Sequence, residues 1–299
     1  MRKSIVILLT CVSLILNVNA QDLIAKYKDG SYKLVNDQYC ALSNDSDIEY
    51  VQPNFQYSIC SFGNDWVFEK MNYKPSSLKK EPLPVAVIDT GINPNLEYFE
   101  DRLEKPYNAI NFSDDAADDN GHGTHIAGII ASMDNTIILP IKALDEDGHG
   151  ETISIANAIR YAVEHKVKII NLSLGGRNYD RLLDEIIEYA TDSGCIVIAS
   201  AGNTYGEAQI YPACFANVLS VGAINEDGNI CPWSNRGDSV DVYAGGEKIL
   251  SILPSGEFVE KSGTSQACAF VSGGMCSLED IEIGKLKERK IFSLGVEEC

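Results

Sequence analysis

The sequence has few of the features that mark several large classes of protein. After residue 20 no apolar run is long enough to cross a bilayer, so we expect no later membrane helix and a soluble mature protein. Lys and Arg number 24 against 43 Asp and Glu, and the formal charge of −19 argues against nucleic acid or an anionic membrane as a partner. The 4 histidines include no H-E-x-x-H pattern, so no metal site is predicted.

Residues 1–20 have the features of a signal peptide. Arg2 and Lys3 make a basic start, an apolar run extends from Ile5 to Leu16, and Ala20 is a small residue. The run is too short to span a bilayer but suits the apolar part of a secretory signal. We expect cleavage after Ala20 and secretion. The loss of two positive charges would take the formal charge from −19 to −21.

The cysteines predict disulfides without specifying their pairing. The 9 cysteines become eight once Cys11 leaves with the signal, and an even number in a secretory context is typical of a disulfide framework with 105 possible pairings. One pairing is excluded on geometry. If residues 265–276 are helical, Cys268 and Cys276 lie about 12 Å apart, beyond bridging distance. Cys195 lies in an apolar strand, where a buried free thiol is the alternative.

Apolar runs alternate with helical patterns from about residue 64 onward. The predicted strands are Val85–Asp89, Thr136–Leu144, Val167–Leu174, Cys195–Ala201, Val218–Ala223 and Val240–Tyr243. Amphipathic helices are predicted over Thr152–His165 and Tyr179–Ser193. This alternation predicts a single α/β domain with a mostly parallel sheet that helices cover on both faces.

Three short stretches carry the residue types of a nucleophilic site. Asp89 ends an apolar strand, His122 stands between glycines at the start of a small-residue helix, and Ser265 precedes another apolar run. Each has a plain structural alternative, namely a turn cap, a surface histidine and a helix cap. A metal pair of His122 and His125 is a rival interpretation, but no third ligand is evident nearby. Together the three supply a carboxylate, a base and a hydroxyl in the chain order Asp, His, Ser.

Six blocks around these residues resemble the subtilisin-like serine proteases, or subtilases. In family order they are AVIDTGI, GHGTHIAG, INLSLGG, ASAGN, YPACFANVLSVGA and SGTSQA, between about Val85 and Gly274. The resemblance implies the subtilisin-like three-layer α/β fold. It also implies a secreted serine endopeptidase, made as a zymogen, that hydrolyses proteins or peptides through the triad Asp89, His122 and Ser265.

The same resemblance implies further site residues. Asn203 takes the position of the family's oxyanion-hole asparagine, and Ser173, Leu174 and Gly175 match the segment that pairs with extended substrate backbone. Ile210 aligns with the base of the first specificity pocket. A branched side chain there should make the pocket shallow and disfavour cleavage after large aromatic residues.

Residues 21–62 are expected to form a reduced inhibitory propeptide ahead of a peptidase domain at residues 63–299. Leu23–Tyr27 alternates like a half-buried strand, and Ile48–Phe55 resembles the end of the family's propeptide. The protein's own propeptide would then be a partner, cut near Tyr57–Gly63. The alternative is an N-terminal extension that stays attached.

The chain departs from the family pattern in three places. After the nucleophile, Gln266–Phe270 reads QACAF where the family commonly has Met-Ala-Ser/Thr-Pro-His. This departure favours, as an alternative, a catalytically impaired subtilase-like secreted protein that acts in binding or at a surface. The cysteine count favours a further alternative, a disulfide-linked coat protein.

Asn95 stands where a calcium-binding Asp is common in the family, and the loop Met133–Thr136 is short. No cofactor is therefore required, and the sequence argues against calcium without excluding it. Four aspartates between residues 114 and 119 predict a solvated acidic loop or, alternatively, a cation site.

Overall fold

A computed structural model describes residues 23–29, 32–35, 47–53, 63–73, 82–207, 209–278 and 291–292. The chain divides into two compact units, Met1–Cys60 and Ser61–Cys299. The expected signal peptide, the residues 54–62 around the expected propeptide cleavage, and the cysteines Cys40, Cys60 and Cys299 lie outside the described residues.

The first unit contains a three-stranded antiparallel sheet. Its strands are β1 (Leu23–Tyr27), β2 (Tyr32–Val35) and β3 (Ile48–Pro53), in the order β2-β1-β3. Ala25 pairs with Lys33 on one side and Val51 on the other. Ala25 and Tyr27, two residues apart on β1, are both buried. The strand predicted over Leu23–Tyr27 is confirmed, and its alternation follows from burial of one face.

The second unit is built on a seven-stranded sheet in which every pairing is parallel. The strands are β4 (Leu83–Asp89), β5 (Tyr107–Asn108), β6 (Thr136–Lys142), β7 (Ile169–Leu172), β8 (Ile196–Ser200), β9 (Val218–Ile224) and β10 (Val242–Gly245). Their order is β10-β9-β8-β7-β4-β6-β5. The carboxyl ends of all seven therefore lie at one edge, where polar residues that follow neighbouring strands come together.

Helices cover both faces of this sheet, as the continuous apolar strands require. The helices are α1 (Asp65–Lys70), α2 (His122–Ala131), α3 (Thr152–Glu164), α4 (Arg181–Asp192) and α5 (Thr264–Met275), with a 3-10 helix at Glu97–Phe99. Val85 and Val87 of β4 belong to the core that contains α2 and α5. Ala86 and Ile88 belong to the core that contains α3 and α4. The alternation along β4 thus divides the interior into two apolar layers, which makes three layers of backbone.

Helices α2 and α5 pack against each other, and both begin at the edge that carries the polar residues. Every residue of α5 except Ser265 is buried, so this helix runs through the core. A two-stranded antiparallel hairpin, β11 (Ile249–Ile252) and β12 (Phe258–Lys261), flanks α2. The Ser251 hydroxyl ties the hairpin to the helix by donating to the His125 carbonyl at 2.7 Å.

The predicted α/β fold is confirmed, with corrections at the ends of elements. The predicted strand Val167–Leu174 is the shorter β7, because the chain leaves the ladder at Ser173. Among the residues that the structure describes, no helix is both long and apolar enough to span a membrane.

The disulfide prediction is wrong for the part of the chain that is described. Cys195, Cys214, Cys231, Cys268 and Cys276 are all free thiols. The alternative of a buried thiol at Cys195 is confirmed, since this residue is 6% exposed. The remaining pairings would involve residues outside the described ranges.

Candidate active site

Asp89 and His122 form a hydrogen-bonded pair at the carboxyl edge of the sheet. Asp89 is the last residue of β4 and is fully buried, whereas the His122 side chain is 27% exposed. Nδ1 of His122 donates to Oδ1 of Asp89 at 2.7 Å, and the Thr90 N–H donates to the same oxygen at 2.8 Å. The carboxylate therefore fixes the imidazole orientation and leaves the Nε2 side of the ring for other partners.

Two glycines allow the histidine to approach the carboxylate this closely. Gly121 precedes the helix with a φ of 97°, which is strained for any residue with a Cβ. A Cβ on Gly123 would lie 2.2 Å from the Gly91 carbonyl oxygen and 3.2 Å from Cβ of Asp89. The first turn of α2 can pack onto the end of β4 only because these positions lack side chains.

Asp118 organises the loop that leads into His122. Its carboxylate accepts hydrogen bonds from the Thr90 hydroxyl at 2.8 Å, the Gly121 N–H at 2.8 Å and the Thr124 N–H at 2.9 Å. Burial opposes ionisation, but these hydrogen bonds prevail and hold the pKa of Asp118 below its ordinary value. The expectation of a merely solvated acidic loop is therefore wrong for this residue.

The charges around His122 favour its protonated form. Burial by itself lowers the pKa of the imidazole, but the Asp89 charge and hydrogen bond outweigh burial and raise the pKa of His122 above its ordinary value. The carboxylate thus stabilises the imidazolium that would form when the ring accepts a proton.

Ser265 lies at the start of α5 and is bonded to Ser173 in both directions. The Ser265 hydroxyl donates to the Ser173 carbonyl oxygen at 3.2 Å, and the Ser173 hydroxyl donates to the Ser265 carbonyl oxygen at 3.1 Å. Within the described ranges, no hydrogen bond joins Ser265 to His122. Ser173 and His122 line the same cleft. Ser173, the partner of Ser265, and His122, the partner of Asp89, therefore line one cleft, with the Ser265 hydroxyl turned toward Ser173.

A buried amide connects the end of β7 to the helix that carries Ser265. Asn171, fully buried on β7, donates through Nδ2 to the Ser173 hydroxyl at 3.0 Å. Its Oδ1 accepts from the Cys268 thiol at 3.2 Å and the Ser272 hydroxyl at 2.9 Å. The amide thus connects the end of β7 to α5, and both carry groups of the site.

The side-chain amide of Asn203 is fixed by the backbone at the start of α5. Its Oδ1 accepts the Thr264 N–H at 2.9 Å, so Nδ2 faces away from that bond. A Cβ built on Gly263 would lie 3.5 Å from Nδ2 of Asn203 and 3.7 Å from the backbone nitrogen of Ser265. Two nitrogen donors therefore border the same small space beside Ser265.

Ile210 fills the space between two glycine-containing segments. A Cβ on Gly175 would lie 2.5 Å from Cγ2 of Ile210, and a Cβ on Gly202 would lie 2.8 Å from Cγ1. Ile210 is 6% exposed. The side chain thus occupies the gap between the Ser173–Gly175 segment and the turn that carries Asn203.

A cleft of about 670 Å³ extends from His122. Ser173, Leu174 and Gly175 form one wall, and residues 147–150 form the other. The backbone groups of Leu174 and Gly175 make no hydrogen bond with any described residue, whereas Gly176 pairs with Tyr211. The wall therefore offers a short free strand edge that an extended peptide can pair with.

The described residues do not fit a metal site. No group of three or more His, Cys, Asp or Glu side chains in these ranges is arranged to hold an ion. His122 is bonded to Asp89, and His125 is buried with Nε2 donating to the Val259 carbonyl at 3.2 Å. Near Asn95, the Asn93 side chain is bonded to protein, since its Oδ1 accepts the Asn95 N–H and its Nδ2 donates to the Pro254 carbonyl. No step of the chemistry below uses a metal.

A family model described as the subtilase family matches residues 81–291. The chain belongs to the subtilase family. Its fold agrees, since a solved cold-adapted subtilisin-like serine proteinase matches this subtilase with a TM-score of 0.64 and 29% identity over 70% of this chain and 82% of that one.

Curated relatives of this subtilase are named as proteases. It is 33% identical to the thermophilic serine proteinase of Bacillus sp. (strain AK1), over 78% of this chain and 63% of the relative. Against the minor extracellular protease Epr of Bacillus subtilis (strain 168) the identity is 31%, over 76% of this chain and 39% of the relative. The major intracellular serine protease of the same organism is 34% identical, over 72% of this chain and 75% of the relative. The matched part of this chain thus spans less than two thirds of the length of the first two relatives.

Sequence reasoning missed two polar residues that organise the subtilase site. Asp118 is one of several aspartates in a polar loop, and its position four residues before His122 is the only signal in the sequence. Asn171 lies inside an apolar strand, where a buried amide in itself suggests that hydrogen-bond partners exist. Two of its three partners, Cys268 and Ser272, are 97 and 101 residues away in the chain and leave no local pattern.

Proposed function

We propose that this chain is a serine endopeptidase that hydrolyses peptide bonds through Asp89, His122 and Ser265. Ser265 attacks the carbonyl carbon, His122 takes its proton and returns it to the leaving amine, and Asp89 stabilises the imidazolium. The observation that carries the proposal is the 2.7 Å bond between His122 and Asp89, together with a serine at a helix N-terminus whose partner Ser173 lines the same cleft as His122. For this attack the Ser265 hydroxyl must turn from the Ser173 carbonyl to Nε2 of His122.

The oxyanion of the tetrahedral intermediate would be bound by Nδ2 of Asn203 and the Ser265 N–H. These donors border one space, and the Thr264 N–H holds the amide in the orientation required. In subtilisin, removal of one such donor lowers kcat about 100- to 1000-fold. We expect a loss of the same order here.

Substrate would bind as an extended strand along Ser173, Leu174 and Gly175. The free backbone groups of this wall would bind the peptide backbone and so give affinity for peptides regardless of their side chains. Ile210 would form the base of the first specificity pocket, and its packing against Gly175 and Gly202 supports a shallow pocket for small or medium side chains.

Secretion and zymogen formation belong to the proposal as well. The basic and apolar composition of residues 1–20 supports a signal peptide, although the relatives include proteases named extracellular and intracellular. The three-stranded sheet of Leu23–Pro53 supports an independent module ahead of the peptidase domain. The protein's own propeptide would be its first substrate.

One observation favours the alternative of an impaired subtilase. The Ser265 hydroxyl is bonded to Ser173 rather than to His122, and QACAF replaces the family's usual sequence after the nucleophile. In this case the cleft would bind peptides without cutting them.

Incubation of the purified protein with casein separates the two functions. We expect casein cleavage and self-processing by the wild type, and neither with Ser265→Ala. An intact wild-type protein that binds casein and cleaves nothing would support the impaired alternative. Cleavage that persists in Ser265→Ala would overturn the assignment of the nucleophile.

A further inference from the structure

Lys261 brings a positive charge to the edge of the proposed active site. It is the last residue of β12 and precedes Ser265 by four positions. Its Nζ donates to the carbonyl oxygen of Gly121 at 3.3 Å, and Gly121 directly precedes His122. The ammonium therefore lies beside the first turn of α2, close to the reacting groups.

No described carboxylate neutralises Lys261 by direct contact. Burial lowers the pKa of Lys261, and Asp118 and Asp89 oppose this effect only through space. Both carboxylates are engaged elsewhere, Asp89 with His122 and Asp118 with backbone and hydroxyl donors. An ammonium has three N–H donors, and the bond to Gly121 uses one. Two donors remain for a ligand.

Lys261 contacts the residue before His122 but is not part of the cleft lining. The cleft is lined by His122, by Ser173–Gly176 and by residues 147–150, but not by β12. The turn after β11 packs beside Gly121, where a Cβ would lie 3.4 Å from Pro254. If the cleft holds the acyl part of a substrate, the chain beyond the scissile bond passes next to His122, because His122 gives its proton to the leaving amine. Lys261 is near that path through its bond to Gly121.

We propose that Lys261 is a specificity-determining residue that selects substrates with Asp or Glu at the first or second position after the scissile bond. This inference rests on the proposed protease function. A carboxylate at that position accepts charge-assisted hydrogen bonds from the two available donors. A glutamine of the same shape offers only a neutral oxygen, so the preference depends on charge rather than on size.

Matched fluorogenic peptides that differ only by Glu or Gln test this inference. One pair varies the first position after the scissile bond and a second pair varies the second. For the wild type we expect kcat/KM to be about tenfold higher for the Glu peptide of one pair, as for a hydrogen bond to a charged group. Lys261→Met should remove the preference, Lys261→Arg should retain it, and Lys261→Glu should reverse it.

Lys168→Met is the matched control. Lys168 also donates from Nζ to a backbone carbonyl, that of Gly194 at 2.9 Å, but it precedes β7 and so lies at the opposite edge of the sheet. Its removal changes the net charge by the same amount. The Glu-to-Gln ratio should therefore equal that of the wild type.

The outcomes separate this inference from the proposed function. Equal kcat/KM for Glu and Gln in both pairs, with Gln peptides cleaved in a Ser265-dependent way, overturns the role of Lys261 alone. A Glu preference that survives in Lys261→Met also overturns it. No cleavage of any peptide by folded wild-type protein overturns the protease proposal instead.

Discussion

The thiol of Cys268 lies 3.2 Å from Oδ1 of Asn171, within the core and one turn beyond Ser265. Asn171 has three side-chain partners, and all are buried or half-buried. Burial raises the pKa of Cys268 to about 12, so the thiol remains protonated and can donate at neutral pH. Where the family commonly has a Ser or Thr hydroxyl, this chain thus has a weaker donor, and that donor is bonded to the amide.

Asn171→Ala should therefore destabilise the domain. It removes the amide partner from three buried polar groups, of which Ser173 keeps its bond to the Ser265 carbonyl, and we expect the free energy of unfolding to fall by about 2–4 kcal/mol. Cys268→Ser keeps a donor and should change stability by less than about 1.5 kcal/mol. Urea denaturation in a Ser265→Ala background, which prevents self-digestion, gives both values. Equal losses in the two variants would contradict the network.

The pair of His122 and Asp89 predicts the pH dependence of activity. His122 must be neutral to accept a proton, so kcat/KM falls as the pH drops through its pKa. Because the carboxylate raises the pKa of His122, the acid limb should lie above pH 6.5. Asp89→Asn should lower kcat by about 10⁴ and move this limb to lower pH. A limb that stays in place in Asp89→Asn would show that another group titrates.

His125 predicts a loss of stability in acid. Burial lowers the pKa of His125 from 6.5 to about 4. Between these values the unfolded chain binds a proton that the folded one does not, so stability falls as the pH drops from 6.5 to about 4, by up to about 3 kcal/mol.

The measurement compares the wild type with His125→Gln, again in the Ser265→Ala background. The difference in unfolding free energy between the two should change across this pH range and stay constant above pH 7. A difference that is constant from pH 7 to pH 4 would count against a buried neutral His125. Other titrating groups cancel in the comparison.

Ile210 predicts a preference for small or medium residues before the scissile bond. Wild-type kcat/KM should be higher for an Ala peptide than for a Phe peptide, and Ile210→Gly should raise the Phe-to-Ala ratio by about tenfold or more. Ile230→Gly, at an exposed position, is the control and should leave the ratio unchanged. A strong Phe preference in the wild type would refute the shallow pocket.

The free thiols predict a simple chemical result. Cys195, Cys231, Cys268 and Cys276 are buried, and Cys214 is partly accessible. Titration with a disulfide reagent should find at least five thiols after denaturation without reductant, and far fewer in the native protein. Fewer than five in the denatured protein would indicate a disulfide among these residues.

The sequence predicts long elements well because their physical signal is local. Parallel strands buried on both faces are continuous apolar runs, and α3 and α4 repeat their apolar face every turn. Short elements such as β5, with two residues, and α1, with six, are too brief to leave a pattern. The ends of β7 and β6 were missed because the apolar run continues beyond the last ladder bond.

The candidate site also contains residues that the sequence predicts and residues that it does not. Asp89, His122 and Ser265 are recognisable because each follows or opens a predictable element. Their hydrogen-bond partners are not, since Asn171 bonds to Cys268 and Ser272, which are 97 and 101 positions away. The bond from Ser265 to Ser173, in place of one to His122, also depends on side-chain rotation that no sequence pattern encodes.

Helix α5 lies in the middle of the fold but is the last of the site-bearing segments to be synthesised. Asp89, His122 and Asn203 all precede it in the chain. The hydrophobic core on its side of the sheet includes the buried residues of α5 and is incomplete without them. A chain still emerging from the ribosome would therefore contain Asp89 and His122 without Ser265, and its hydrophobic core would be incomplete. Hydrolytic competence would arise only in the closing stage of folding, when the alcohol enters together with the helix that completes the domain.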